Sequence, residues 1–312
     1  MTTTAADVSA GLAPAPSTKS RSGPGKWQPW LFLFPFLIPF VLFYVAPIAY
    51  AFYQSLFKIE RTGGIFGKPS QVFAGLSQYA SVFSDQDFRA SILRVLVFGI
   101  VQIPVMLLIS LGLALLLDST LVYFKRFLRI SFFVPYGVPG VIAAIMWGFI
   151  YSPNLSPIVA LLNKLNISID FLGTHVVLWS IANVVTWTYA GYNMLIIYSA
   201  LLSIPQEIFE AARLDGASNW DIARRIKIPS VAPALVLTGV FSIIGTLQLF
   251  TEAKVFTNIS TAITSSYTPN LVVLAKAQNN YNQSAALSVT LAVGTFILSF
   301  LFLKLTNRRA GA

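Results

Sequence analysis

Two polar stripes in an otherwise apolar chain carry the side chains whose types and spacing could do chemistry. At about 100° per residue, Thr186, Tyr189, Tyr192 and Asn193 fall on one face of a helix, and Ser242, Gly245, Gln248 and Glu252 fall on one face of another. Aromatic rings beside neutral hydrogen-bonding groups suit a sugar. Its C–H faces stack on rings, and each hydroxyl needs a donor or an acceptor. Small and polar residues also serve as packing glue between membrane helices, so Ser242, Gly245 and Thr246 admit that second role. Covalent chemistry has little material here. There is no cysteine, and the one histidine, His175, reads as a solvated side chain at a helix edge. Neither an H-E-x-x-H pair nor a nucleophile–base set is visible, and no G-x-x-x-x-G-K-[ST] loop could cradle a nucleotide. The chain is expected to be neither an enzyme nor a motor, and to bind no metal or cofactor of its own.

The composition says what kind of element positions these stripes. Of 312 residues, 56% are hydrophobic and 10% charged, whereas soluble domains carry about a quarter charged residues. A hydrocarbon core of about 30 Å takes roughly 20 apolar residues to cross as a helix. Six stretches qualify, near 30–56, 91–117, 131–151, 175–201, 232–256 and 284–303. Runs such as Leu31 to Val45 lack the alternation of a membrane barrel. The expected fold is therefore all-α, an integral membrane bundle of six helices. Pro35, Pro39, Pro47, Pro104, Pro135 and Pro139 fall within these stretches. They bend helices and leave room between them, which suits transport as well as ordinary kinking.

The net charge of +10 follows membrane orientation and needs no nucleic acid. With a cytoplasmic N-terminus, the inner segments hold Lys19, Arg21 and Lys26, then Lys125, Arg126 and Arg129. They continue with Arg213, Arg224, Arg225 and Lys227, and end with Lys304, Arg308 and Arg309. Every inner segment has at least three basic residues, so both termini are expected in the cytoplasm. Ala49-Tyr50-Ala51 has the form of a signal-peptide cleavage site. The 29-residue polar leader and the long apolar run that follows fit a retained anchor better. Residues 1–29 read as a disordered cytoplasmic tail and 30–309 as the membrane domain.

The longest inner connection, residues 203–229, is punctuated like two short helices. Pro205 sits in a first turn, Glu207 lies near that positive helix end, and Gly216 can take the left-handed stop after Leu214 or Asp215. Ser218 with Asp221 makes a capping box, and Pro229 closes the second helix. Trp220, Ala223 and Ile226 share one side. As an ordinary amphipathic loop, it would need only a weak pair between Glu210 and Arg213.

The spacing Glu210-Ala211-Ala212, three residues, Gly216, nine residues, Ile226, one residue, Ile228-Pro229 resembles the EAA loop of binding-protein-dependent ABC importer permeases. Asp215-Gly216-Ala217 matches the extended form. The family ends in Leu-Pro where this chain has Ile228-Pro229. Gly75-Leu76-Ser77-Gln78-Tyr79, followed by Phe83, Asp85 and Phe88, is similar to the segment before helix two of maltose-type carbohydrate permeases. That group usually has Asn at Gln78 and Asn-Thr near Arg94-Val95.

The resemblance implies a type I importer transmembrane domain whose loop inserts as a coupling helix into an ATPase. Glu210, Ala211, Ala212, Asp215, Gly216 and Ala217 would make that contact. It also implies an ATPase dimer carrying ATP and Mg, a second related permease subunit and an extracytoplasmic solute-binding protein, working by alternating access in the inner membrane. Counting along the family pattern, Tyr192 and Gln248 land at or near substrate contacts, and Gly245 replaces another. The expected substrate is a neutral sugar, a di- or oligosaccharide first. Glycerol phosphate or another polyol is the alternative, but an anion would favour a central Arg or Lys that these helices lack. An ion-coupled secondary transporter would need an ionisable group at mid-membrane, and Glu252 lies near the outer end of its helix.

Overall fold

The computed structural model describes residues 27–62, 68–120 and 122–310. Most of the expected N-terminal tail, residues 1–26, lies outside the described residues. The elements run α1 (Gln28–Phe40), α2 (Ala46–Ser55), β1 (Phe57–Thr62), β2 (Lys68–Phe73), α3 (Ser77–Ser84) and α4 (Gln86–Asp118). They continue with α5 (Lys125–Phe133), α6 (Gly140–Tyr151), α7 (Pro157–Lys164), α8 (Val177–Leu202), α9 (Gln206–Leu214) and α10 (Asn219–Ile222). The chain ends in α11 (Ile228–Ser230), α12 (Ala232–Leu247), α13 (Thr251–Phe256), α14 (Pro269–Ala277) and α15 (Tyr281–Ala310).

Among the described residues, Trp30–Ser55, Gln86–Asp118, Ala232–Phe256 and Tyr281–Thr306 are long and apolar enough to cross a membrane. Two bent pairs, Lys125–Gly137 with Gly140–Tyr151 and Val177–Leu202 with Gln206–Leu214, raise the number to as many as six if each pair counts as one span. The all-α membrane architecture expected from composition is thus present.

Two units divide the chain, one ending at Ala49 and one running from Tyr50. In the first, α1 leads into a π-helical turn at Val41–Val45. Pro35 and Pro39 inside α1 each remove a backbone donor, and a π turn is one way a helix absorbs such a loss.

The second unit is organised around α4 and α8, which pack along each other. Phe98 of α4 joins Val177, Ile181 and Val184 of α8 and Phe256 of α13 in the main core. Toward the Asp118 end of α4, Ala114 and Leu117 meet Met194, Ile197 and Leu201 of α8 and Val231. Inside this seam, Ser110 Oγ lies 2.7 Å from its own-turn carbonyl at Met106 and 3.0 Å from the Ala190 carbonyl of α8. One hydroxyl thereby fixes the register of both helices.

Several element boundaries differ from the sequence expectation. Residues 131–151 are not one helix. Pro135 and Pro139 cannot donate, and the chain passes through a 3-10 turn at Val134–Gly137 before α6 leaves at 98° to α5. The 232–256 stretch is interrupted between α12 and α13. Leu249, in the gap, is buried in the main core with Phe98 and Phe256, and the freed Leu247 carbonyl accepts from Asn270 Nδ2 at 3.5 Å. The gap itself, Gln248-Leu249-Phe250, holds no Gly or Pro, and tertiary packing decides it. Pro229 does not close its helix. It stands in the first turn of α11, where no donor is missed, and the path continues into α12.

The segments between the apolar stretches carry structure of their own. In the 58–90 segment, β1 and β2 pair antiparallel with Phe57 opposite Phe73, and Gln78 Nε2 donates to the Phe57 carbonyl at 3.0 Å. Helix α4 starts at Gln86, earlier than expected, because Asp85 caps it by accepting from Phe88 N at 3.0 Å. Lys276 of α14 pairs with the same carboxylate at 2.7 Å.

Burial alone would raise the Asp85 pKa. The hydrogen bonds from Lys276 and the Phe88 and Asp87 amides, together with the Lys276 charge, outweigh it and hold the carboxyl below its usual range. A depressed folded-state value means stability present above the unfolded pKa, near 3.9, and lost as pH falls through the folded value. Thermal unfolding of the detergent-solubilised protein should therefore show a midpoint that drops below about pH 4. The Asp85→Asn variant should lose part of that acid dependence. Identical acid profiles for the two proteins would show that Asp85 contributes nothing.

Candidate binding cavity and exposed loop

The two polar stripes meet. A cavity of about 370 Å³ lies between α4, the 134–137 turn, α8, α12 and α13. Tyr189, Tyr192 and Asn193 line it from α8, Ser242 and Gly245 from α12, and Gln248 and Glu252 from the interrupted segment that follows. The stripe on the second segment is therefore not a continuous helix face. Its residues reach one cavity because the chain breaks between Gln248 and Phe250, turning Gln248 and Glu252 onto the same wall. Thr186 does not line the cavity; its Oγ1 accepts from Gln102 Nε2 of α4 at 3.3 Å.

The aromatic surface is larger than the stripes suggested. Tyr136, in the turn between Pro135 and Pro139, stacks on Tyr192 at 4.6 Å between ring centroids and 16° between planes. It meets Tyr189 edge-on at 5.9 Å and 67°. Phe98, Phe241 and Phe250 add to the apolar lining, with Met106, Val185 and Leu249. Gly245 leaves space on the opposite wall, since nothing lies within 4 Å of where its Cβ would stand.

Two buried amides are left incomplete. Gln102 and Asn193 are each 2% exposed, and Gln102 Oε1 and Asn193 Nδ2 have no hydrogen-bond partner among the described residues. An orphaned buried acceptor or donor costs on the order of 1–3 kcal/mol, so both sites favour a ligand that supplies hydroxyls. Sequence reasoning named Asn193 but missed Gln102 and Tyr136. Gln102 carried a readable signal, being an amide deep in a long apolar helix. Tyr136 gave none, because its ring reaches Tyr192 only through the α5–α6 bend.

Among the described residues, no Lys, Arg or His lines the cavity. Glu252 is 8% exposed and forms no ion pair among the described residues. Its Oε1 lies 3.7 Å from where a Cβ of Gly140, the first residue of α6, would stand.

At the Asp118 end of α4, the 203–229 segment is the expected pair of short helices. Helix α9 ends with the Ala217 amide donating to the Ala212 carbonyl at 2.9 Å and the Gly216 amide to Arg213 at 3.0 Å. Gly216 takes φ +84° between them. This is a Schellman ending, in which the left-handed residue is ordinarily glycine and the positions of Ala212 and Ala217 face each other. Ser218 Oγ accepts from the Asp221 amide at 3.2 Å, and Asp221 accepts from the Ser218 amide at 3.2 Å, closing the capping box. Hydrogen bonds from the Ser218 side chain and amide, acting against slight desolvation, keep the Asp221 carboxyl below its usual range.

Phe209 and Ile222 are the buried anchors of this loop, at 5% and 2% exposure. Lys227 sits over the Phe209 ring at 5.0 Å and pairs with Asp118 at the end of α4. The loop is thus fastened to the helix that carries Gln102. The opposite face is bare. Glu207, Glu210, Ala211 and Leu214, spaced three, four and seven residues from the first, are all exposed, and Leu214 and Trp220 stand 90% and 71% open. Glu210 forms no ion pair with Arg213, so the intrachain account of its position is not realised. Asp215 is exposed beside Gly216.

Membrane-spanning helices around a polar cavity, one of them broken beside it, together with an exposed helix pair at one end of the bundle, define a membrane transport subunit. The chain belongs to the family described as binding-protein-dependent transport system inner membrane component, whose pattern it matches over residues 72–309. It is therefore a permease component of an importer and a multi-pass inner-membrane protein. It is 28% identical over 303 residues to the lactose transport system permease protein of Rhizobium radiobacter, covering 91% of this chain and 97% of that one. It is 29% identical over 298 residues to the sn-glycerol-3-phosphate transport system permease protein of Agrobacterium fabrum, covering 92% and 97%. The fold matches a bacterial ABC transporter subunit involved in import of the acidic polysaccharide alginate, with TM-score 0.74 at 20% identity over 90% of this chain and 96% of that one.

Proposed function

We propose that this chain carries a neutral sugar, a di- or oligosaccharide first, through the membrane of an ATP-driven importer. The observation that carries the reading is the convergence of Tyr136, Tyr192, Asn193, Gln102 and Gln248 on one cavity. Stacked rings offer a surface for sugar C–H faces, and the amides offer donors and acceptors for hydroxyls. The lactose-system relative supports this choice. The glycerol-phosphate relative supports the polyol-phosphate alternative, but a wall without Lys or Arg among the described residues is poorly suited to a phosphate.

The loop at 203–229 is the proposed coupling element. Its bare face, with Glu210, Ala211 and Leu214 outward, would seat on an ATPase subunit in the cytoplasm, so both termini would lie on that side. Gly216 sets the turn between the two helices, flanked by Asp215 and Ala217. A solute-binding protein would deliver sugar from the other side, and a second related permease would complete the pathway. ATPase closure would move the loop, and Lys227–Asp118 would pass that movement to α4 and the cavity.

The site is tested by Tyr192→Ala and Gln248→Ala in the complete transporter. Each should lower sugar uptake about tenfold, which is roughly 1.4 kcal/mol of lost stacking or hydrogen bonding, while the assembled complex is recovered at wild-type yield. Normal uptake by both variants would remove this cavity as the sugar site.

A further inference from the structure

The sugar reading leaves the buried carboxylate of Glu252 unused. It is a formal charge in the wall of a membrane cavity, 8% exposed, with no cation paired to it among the described residues. Such a group is expensive to bury unless something offsets it. The offset in reach is the start of α6, since Glu252 Oε1 lies beside Gly140, its first residue. Helix α6 spans 12 residues, and its N-cap residue, Pro139, supplies no side-chain cap. The amides of Gly140, Val141 and Ile142 make no backbone hydrogen bond. A helix start with orphaned amides carries partial positive charge and favours an anion.

The chain bends by 98° between Lys125–Gly137 and Gly140–Tyr151, so the start of α6 follows closely on Tyr136, which lines the cavity, and lies beside Glu252 of the same wall. In membrane transporters, the N-terminal ends of broken helices commonly face the anionic groups of substrates. Here the protein's own carboxylate stands where a substrate anion would go.

We propose that Glu252 is the charge-selecting residue of the cavity: its buried carboxylate stands on the wall beside the first residue of α6, so the site accepts hydroxyl donors and rejects sugars bearing a carboxylate or phosphate. Two like charges in a water-poor cavity repel strongly, whereas a carboxylate accepts hydrogen bonds from two hydroxyls at once. The proposal rests on the reading of this cavity as the sugar site. It adds a specificity-determining residue whose effect is opposite for neutral and acidic ligands.

The test measures direct binding to the detergent-purified complex of both permease subunits and the ATPase, with the solute-binding protein left out so that its selectivity does not intervene. Maltotriose serves as the neutral probe and trigalacturonate as the acidic one. The wild-type complex should bind maltotriose at least about tenfold more tightly than trigalacturonate. Glu252→Gln, which keeps shape and hydrogen bonding but removes the charge, should raise trigalacturonate affinity about tenfold or more and change maltotriose affinity less than about threefold. Glu252→Asp should keep the rejection. A measurement on unaltered protein covers the case of a misfolded variant: the methyl ester of trigalacturonate should bind the wild-type complex at least about tenfold more tightly than the acid. Equal wild-type affinity for acid, ester and maltotriose, or unchanged discrimination in a folded Gln variant, would overturn charge selection and leave the sugar site standing. No binding of any probe by the wild-type complex would remove the sugar site, and the role of Glu252 with it.

Discussion

Gly191→Ala is expected to cost about 3 kcal/mol of stability, the upper end of what overpacking does, and to dismantle the tyrosine wall of the cavity. A Cβ at Gly191 would stand 1.8 Å from the Phe132 carbonyl oxygen and 2.6 Å from its carbon. Those are backbone atoms of α5, so no rotamer change can relieve the clash, and the helices must separate. The consequence is specific because Gly191 lies between Tyr189 and Tyr192, and α5 leads directly into the turn that carries Tyr136. Moving α5 outward pulls Tyr136 off Tyr192, whose rings are now 4.6 Å apart. Gly112→Ala on α4 is the matched control, since nothing lies within 4 Å of its Cβ position, and its effect should stay within about 0.5 kcal/mol. Unfolding midpoints of the two purified variants measure the difference, and sugar binding by whatever Gly191→Ala protein survives measures the wall. Equal midpoints for the two variants would mean that α5 and α8 do not approach as closely as described.

How much of this was legible in the sequence depends on the range of the interaction. Gly216, Ser218 and Asp221 could be placed before any coordinates because Schellman endings and capping boxes are settled within about six residues. Tyr189, Tyr192 and Asn193 could be grouped because one α-helix carries all three. The break after Leu247 could not be read from Gly245 alone, which also fits a small packing residue, and burial of Leu249 against Phe98 and Phe256 decides it. That break is also why Glu252 was set aside as a helix-end residue and then appeared on the cavity wall. Pro135 and Pro139 announced a bend, but its direction, and hence Tyr136 over Tyr192, comes from the approach of Phe132 to Gly191. Gln102 was readable as an amide among apolar neighbours. Only packing on α8 supplied its partner at Thr186.

Charge reversal at Glu210 should separate transport from substrate binding more completely than any change in the cavity. Glu210 is exposed and, among the described residues, has no ion-pair partner, so Glu210→Lys breaks no ion pair there. If the bare face of α9 seats on an ATPase, the same substitution loses a partner and adds a repulsion. Losing a charged group from a docked interface costs roughly 2–5 kcal/mol, so ATP-driven uptake should fall about 100-fold while sugar affinity stays at the wild-type value. Gly216→Val reaches the same end by another route. At φ +84°, a side chain strains the backbone by roughly 1–2 kcal/mol, more for a β-branched one, and the turn that holds α9 against α10 opens. Uptake should drop about tenfold, with the ATPase still present but less firmly bound. The two variants differ in a way that a general loss of folding cannot imitate. A compensating basic-to-acidic change on the ATPase does nothing for Gly216→Val, whereas Glu210→Lys should regain uptake when a basic residue lining the ATPase contact is made acidic. Wild-type uptake by Glu210→Lys would show that the exposed face of α9 is not where the motor engages.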